Sequence, residues 1–271
     1  MYVQVLRLAI TVRTNEREVL DALRFLAHRA QQPDTPVTRV ECLVRRHGAQ
    51  YEVSANGAVI DSAPSPVSVL ETLFAFTQSR ALALFDEHAL VRGAVVGTGG
   101  ARALLIGERG CGLTSLCVRS LHLGAAAEGD AFALLGADGV TPLPRRFLLR
   151  AGAGELLPEL GNALERLPAI SSNDDVIRAF DPAEAGFEWQ IRRGPVDACV
   201  VIEPNHGGET RLTTIGETEM VRRVMACCTP PVAGGREWLH TLSALVTRAA
   251  CWRLQLGTID AAAPAVIRVL A

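Results

Sequence analysis

Gly107-Glu108-Arg109-Gly110-Cys111-Gly112-Leu113-Thr114-Ser115 follows directly on the apolar run Ala103-Leu104-Leu105-Ile106. Its spacing is that of a phosphate-binding loop, G-x-x-x-x-G-K-[ST], met everywhere except at the lysine, where Leu113 stands. Each position of that pattern has a physical task. The glycines let backbone N–H groups turn inward around phosphate oxygens. The hydroxyl of Thr114 or Ser115 ligates Mg²⁺, and the lysine neutralises the β- and γ-phosphates. A leucine cannot do that. The run before the loop predicts a strand. After it, Leu113, Leu116, Cys117 and Leu121 recur at helical spacing over residues 113–123. Strand, glycine-rich loop and helix is the setting in which backbone amides meet a phosphate at a helix N-terminus. A strand–helix turn that merely favours glycine is the alternative reading. Either way, this stretch predicts an α/β fold.

The rest of the chain bounds the answer. It has 271 residues, 49% of them apolar, enough for a sizeable core. All 27 basic residues are arginine, a pattern that reads as a coding bias from Lys to Arg. Bias does not account for Leu113, because arginine was available there. The net charge of −2 and the lack of a basic run argue against a nucleic-acid partner. Charges interrupt every apolar run before it reaches membrane-spanning length, so no membrane partner is expected. The first residues lack the basic stretch and apolar core of a signal peptide, so a cytoplasmic location is expected. The seven cysteines form no C-x-x-C pair. They read as buried thiols in a reducing compartment, with a redox or metal pair at Cys227-Cys228 as the alternative.

Walking outward from the loop predicts two units. Residues 1–87 read as a small α+β unit. It has a strand over 3–12, a helix over 16–29 capped by Asn15, strands over 37–44 and 50–54, an Asn56-Gly57 hairpin to 58–61, and a helix over 65–85. Residues 88–271 hold the loop. Strands are predicted over 93–96, 101–106 and 132–135, with Asp138-Gly139 as a plain turn. Further on come a short helix near 156–167, a polar loop over 171–175, a strand over 197–202 and a turn at 204–208 containing His206. Helices over 217–227 and 236–251, a strand over 252–256 and a closing helix over 260–270 complete the chain.

Two groups beyond the loop carry candidate chemistry. Asp130, in Glu128-Gly129-Asp130-Ala131, would hold Mg²⁺ or act as a base if it lies near the phosphates; Gly-Asp is also a common plain turn. Arg145, Arg146 and Arg150 fall within six residues. They would clamp phosphates or an acidic substrate, or form a solvated edge.

On these residues the chain resembles the HPr kinase/phosphorylase family. It resembles still more closely the HPr-kinase-like proteins that accompany biosynthesis of ribosomal peptides such as lasso peptides. The likeness runs through Arg92-Gly93-Ala94-Val95-Val96, Ala103–Ile106, the loop, Gly124, Gly129-Asp130 and Pro144–Arg150. It reaches more loosely to Val200–Pro204 and Trp252-Arg253-Leu254. The resemblance implies a P-loop α/β core related to phosphoenolpyruvate carboxykinase, ATP and Mg²⁺ as cofactors, and transfer of the γ-phosphate to a serine-type hydroxyl. It implies a nucleotide site lined by Gly107, Arg109, Gly110, Cys111, Gly112, Leu113, Thr114 and Ser115. Thr114 and Asp130 would hold the metal, Asp130 would be the catalytic residue, and Arg92, Arg145, Arg146 and Arg150 are phosphate or substrate candidates. A peptide or protein partner and a homo-oligomer are expected on the same ground.

The departures are specific. Leu113 replaces the lysine, Arg92 stands where many members carry histidine (His88 is nearby but out of register), and Ala131 stands where a second aspartate is usual. Arg150 replaces a lysine. Losing one cation costs about 10²–10³-fold in rate. The leading expectation is therefore a degenerate-site pseudokinase acting as an accessory or scaffold protein. The alternatives are an active hydroxyl kinase using Arg109, Arg145 or Arg150 as the substitute cation, and a purely structural subunit.

Overall fold

The computed structural model describes residues 1–172 and 175–271, and the chain is mixed α/β with both parallel and antiparallel strands. The N-terminal sheet runs β1 (Tyr2–Val5), β2 (Leu8–Arg13), β3 (Thr38–His47), β4 (Gln50–Ala55) and β5 (Ala58–Ala63), in that spatial order. Helices α1 (Arg17–Leu23) and α2 (Pro66–Leu82) pack together beside it. Strands β2 and β3 are parallel, joined through α1, and the other pairs are antiparallel. Ser65 caps α2 by accepting from the Ser68 N–H at 3.1 Å, with Pro66 in the first turn where its missing N–H costs nothing.

Two expectations for this region need correction. The strand expected over 3–12 is two strands, broken at Leu6 with φ +52°. Val3 and Val5 on one side, and Leu8, Ile10 and Val12 on the other, all point inward, so the alternation changes phase across Leu6. The helix expected over 16–29 stops at Leu23, and Glu16 rather than Asn15 precedes it, without a side-chain cap. Phe25 and Leu26 continue in tighter i→i+3 turns that bury both side chains.

The larger sheet starts with β6 (Ala89–Thr98) and β7 (Ala101–Ile106), an antiparallel hairpin through Gly99-Gly100. After the glycine loop come α3 (Leu113–His122), β8 (Ala126–Gly129), β9 (Phe132–Gly136) and β10 (Gly139–Pro142). A small sheet follows: β11 (Phe147–Leu149), the short helices α4 (Ala153–Leu156) and α5 (Ala163–Arg166), β12 (Ala169–Ser172) and β13 (Asp175–Phe180). The polar loop expected over 171–175 falls here: its ends lie in β12 and β13, and Asn173 and Asp174 lie outside the described residues. The chain then returns through β14 (Ala198–Pro204), β15 (Arg211–Thr214), α6 (Glu217–Ala226), β16 (Cys228–Thr229), α7 (Glu237–Arg248), β17 (Ala250–Leu256) and α8 (Ile259–Val269). The order is β10-β9-β6-β7-β14-β17-β15, with β8 and β16 also pairing to β6.

Strands β7, β14 and β17 are parallel and form the middle of this sheet. β7 and β14 are buried on both faces, as parallel strands usually are, whereas β17 buries only Leu254 and Leu256. Ala103 and Leu105, Val200 and Ile202, and Leu254 and Leu256 share a core with Leu116 and Cys117 of α3 and Ala262 and Val266 of α8. The alternate residues Leu104, Ile106, Cys199 and Val201 pack with Met220 and Val224 of α6 and Leu242 and Val246 of α7. This period-2 division explains the uninterrupted apolar runs in the sequence. Among the described residues, no helix is long and apolar enough to cross a membrane.

The N-terminal sheet shares its hydrophobic core with the α3/α8 face of the large sheet. Backbone bonds tie the two together: Gln31 N–H donates to the Trp189 carbonyl at 2.9 Å, and Ile191 N–H to the Gln31 carbonyl at 2.8 Å. Arg29 N–H donates to Asp181 Oδ2 at 3.0 Å.

Candidate functional site

The loop leaves the C-terminal end of β7 and enters α3 through Gly112 at φ +97°, a left-handed conformation that glycine adopts freely. A methyl at Gly107 would collide with Cys111 Sγ and press on Ile202, so the first glycine is required by close packing. The first amides of α3 lack intrahelical partners, as at any helix start, and lie beside the loop. Leu113, at the lysine position, is only 7% exposed and belongs to the core.

Three of the expected residues meet at this end of the sheet. Thr114 Oγ1 donates to Asp130 Oδ2 at 2.8 Å, and Arg145 Nη2 donates to the same oxygen at 3.2 Å. The Asp130 side chain is fully buried, and its second oxygen, Oδ1, has no protein partner. Asp130 sits just past β8, whose pairing with β6 brings it alongside α3. Arg145 arrives from the segment after β10. The sequence placed all three among the candidates, but not their convergence.

The other arginines go elsewhere. Arg109 is exposed and makes no ion pair or side-chain hydrogen bond among the described residues. Arg146, 4% exposed, is a structural residue: it grips Glu184 with both terminal nitrogens at 2.8 Å, donates to the Ala27 carbonyl and lies near Asp181. Arg150 is exposed, and its only ionic neighbour among the described residues is Asp175 at 3.9 Å. Arg92 lies over the Phe132 ring at 4.8 Å, and its backbone N–H donates to the Cys227 carbonyl. The Cys227 thiol is raised by burial and by Glu108 of the loop, while Arg92 and Arg223 pull it back down.

All seven cysteines are free, and Cys42, Cys111, Cys117 and Cys199 are buried. Burial raises the thiols of Cys111 and Cys117, the latter strongly, with Asp130 adding to it. Such thiols are poor nucleophiles. Among the described residues, no three of His, Cys, Asp or Glu cluster as a metal cage. A magnesium ion bridged by nucleotide phosphates asks for fewer protein ligands than such a cage. The orphaned Asp130 Oδ1 beside Thr114 fits that demand.

Sequence reasoning missed one large polar constellation. Arg102 and Glu128 form a buried bidentate pair, with Nε–Oε1 at 2.9 Å and Nη2–Oε2 at 2.8 Å. Arg192 donates to the same carboxylate through its backbone N–H at 3.1 Å and its Nε at 2.9 Å. Trp189 Nε1 donates to the Glu128 carbonyl at 3.0 Å. Arg102 further holds the carbonyls of Val140, Arg192, Gly194 and Pro195. Arg102 opens β7 and the glycine loop closes it, so this network braces the opposite end of the strand. No local pattern announces it, because its bonded members are 26 to 93 residues apart.

No family model matches the chain, and no curated protein matches it at a significant level.

Proposed function

We propose that the chain is an HPr-kinase-like protein with a degenerate nucleotide site. It would act as a pseudokinase or accessory protein that holds a peptide or protein partner in peptide natural-product maturation. The family and pathway rest on the resemblance of the loop, Gly129-Asp130 and Pro144–Arg150. The observation that carries the degenerate reading is the Thr114–Asp130–Arg145 cluster beside a loop whose lysine position is a buried leucine.

Phosphoryl transfer depends on positioning and on neutralising the charge of the transferring group. Here the loop's glycines and the first amides of α3 retain a cradle for phosphate oxygens, while Leu113 brings no charge. Ala131 leaves Asp130 as a single carboxylate, already committed to Thr114 and Arg145. Thr114 and Asp130 would hold Mg²⁺, which when bound would offset phosphate charge. Calorimetric titration with Mg·ATP and Mg·GTP, paired with an assay for γ-phosphate loss, tests this reading. Weak binding without turnover supports it, and steady turnover refutes it.

One observation favours a second reading, an active hydroxyl kinase. Arg145 brings a guanidinium to the Asp130 carboxylate, where it would serve as the substitute cation in place of the exposed Arg109. Turnover abolished by Arg145→Met would establish that alternative.

A further inference from the structure

We infer, resting on the nucleotide site proposed for this chain, that Arg145 is a resident counter-cation that closes Asp130 to a free divalent ion and releases it only to an ion arriving with nucleotide phosphates. The Asp130 side chain is fully buried. Its Oδ2 accepts from Thr114 Oγ1 at 2.8 Å and from Arg145 Nη2 at 3.2 Å, while Oδ1 is sealed from solvent without a partner. Neither oxygen is open to an arriving ion. Of the two donors, only Arg145 carries a charge. Thr114 is fixed in the first turn of α3, whereas Arg145 is a long side chain on the segment between β10 and β11 and keeps 18% exposure. Arg145 is therefore the member that turns away when Asp130 is released.

Charge decides what moves it. A bare divalent ion would meet the guanidinium at the same carboxylate, and like charges sharing one site repel. Displacing Arg145 carries a second cost. Asp130 is its only ionic partner among the described residues, and its Nε is already sealed without an acceptor. A half-buried arginine stripped of its carboxylate loses a charge-assisted bond that a bare cation does not replace. Phosphate oxygens do replace it, and the planar guanidinium suits them. The glycine loop and the first amides of α3 would hold those oxygens at this same end of the sheet. Phosphate therefore draws Arg145 off Asp130 as the carboxylate turns to the ion. By linkage, ion and phosphate then raise each other's affinity by the same factor.

The test is titration of the full chain with Mn²⁺ alone, without nucleotide, followed by the electron spin resonance signal of the free ion. Mn²⁺ takes the same oxygen ligands as Mg²⁺. Arg145→Met and Arg145→Gln should each bind it about tenfold or more tightly than the wild type, within the usual range of a coupling between two sites. Arg145→Gln keeps a donor for Asp130 without the charge, so it carries the test if Arg145→Met fails to fold. Arg145→Lys keeps the charge and should bind as weakly as the wild type. Adding Asp130→Asn to Arg145→Gln should remove the gain, which locates the ion. A merely structural Arg145 would leave Mn²⁺ affinity unmoved. Equal affinity in the wild type and Arg145→Gln, a gain that survives Asp130→Asn, or an equal gain in Arg145→Lys would each overturn the inference. Because nucleotide is absent, failure of Mg·ATP to bind in separate calorimetry would count against the nucleotide-site reading alone.

Discussion

His28 should make the fold acid-sensitive in a defined window. Its ring packs against Trp189 with centroids 5.6 Å apart, its nitrogens are sealed, and the guanidinium of Arg146 disfavours its protonation. Burial first, then Arg146, hold its pKa down to about 4 from the ordinary 6.5, against an opposing pull from the Gln4 backbone. The sign follows from proton counting. Between those two values the unfolded chain binds a proton that the folded chain refuses, so stability falls as pH drops. The contribution is fully present above the unfolded value and is lost as pH falls toward the folded one. Going from pH 7 to pH 5, this single group should remove about 2 kcal/mol, a large share of an ordinary domain's stability. The assay is urea unfolding at pH 7, 6 and 5 for the wild type and His28→Leu. The carboxylates are common to both proteins, so the difference between the two pH profiles isolates His28. The reasoning is refuted if the two profiles run parallel.

Three further outcomes are expected. Glu128→Ala strips the partner from buried Arg102 and should cost about 3–5 kcal/mol in denaturant unfolding; a loss below about 1 kcal/mol would show that Arg102 is solvated in solution. Leu113→Lys should raise Mg·ATP affinity by tenfold or more in calorimetry while lowering the melting temperature, since it removes a core side chain; unchanged affinity would show that the loop does not present this position to phosphate. Arg145→Met should weaken whatever Mg·ATP binding the wild type shows, because it removes the one arginine placed at Asp130; stronger binding would mean that Arg145 blocks the site instead.

Local patterns carried much of this fold. The glycine loop, the helix after it and the paired strands before it are short-range features, and α3 and β7 match the residues that predicted them. Pro66 marked the start of α2 for the same reason, since its pre-set φ acts within one turn. Long-range pairing left less trace. Strands β8 and β16 are short and owe their pairing to β6, a neighbour distant in sequence. The break at Leu6 shows only as a shift of the inward-facing positions from odd to even within a run that is largely apolar. The candidate site divides in the same way. Thr114 and Asp130 were readable from the loop and Gly129-Asp130, but choosing among Arg109, Arg145, Arg146 and Arg150 required knowing which backbone passes Asp130. Only the folded chain shows that Arg146, next to Arg145, is consumed by Glu184 instead.

The most direct test of the degenerate-site account is calorimetric titration of the wild-type chain with Mg·ATP. A backbone cradle without its lysine should bind in the range of about 0.1–1 mM, some 10²-fold or more weaker than an intact loop. A low-micromolar dissociation constant would contradict the account by showing that the missing cation has been fully replaced. The absence of any binding at several times the predicted constant would contradict it from the other side, leaving the glycines of residues 107–112 as a packing device alone.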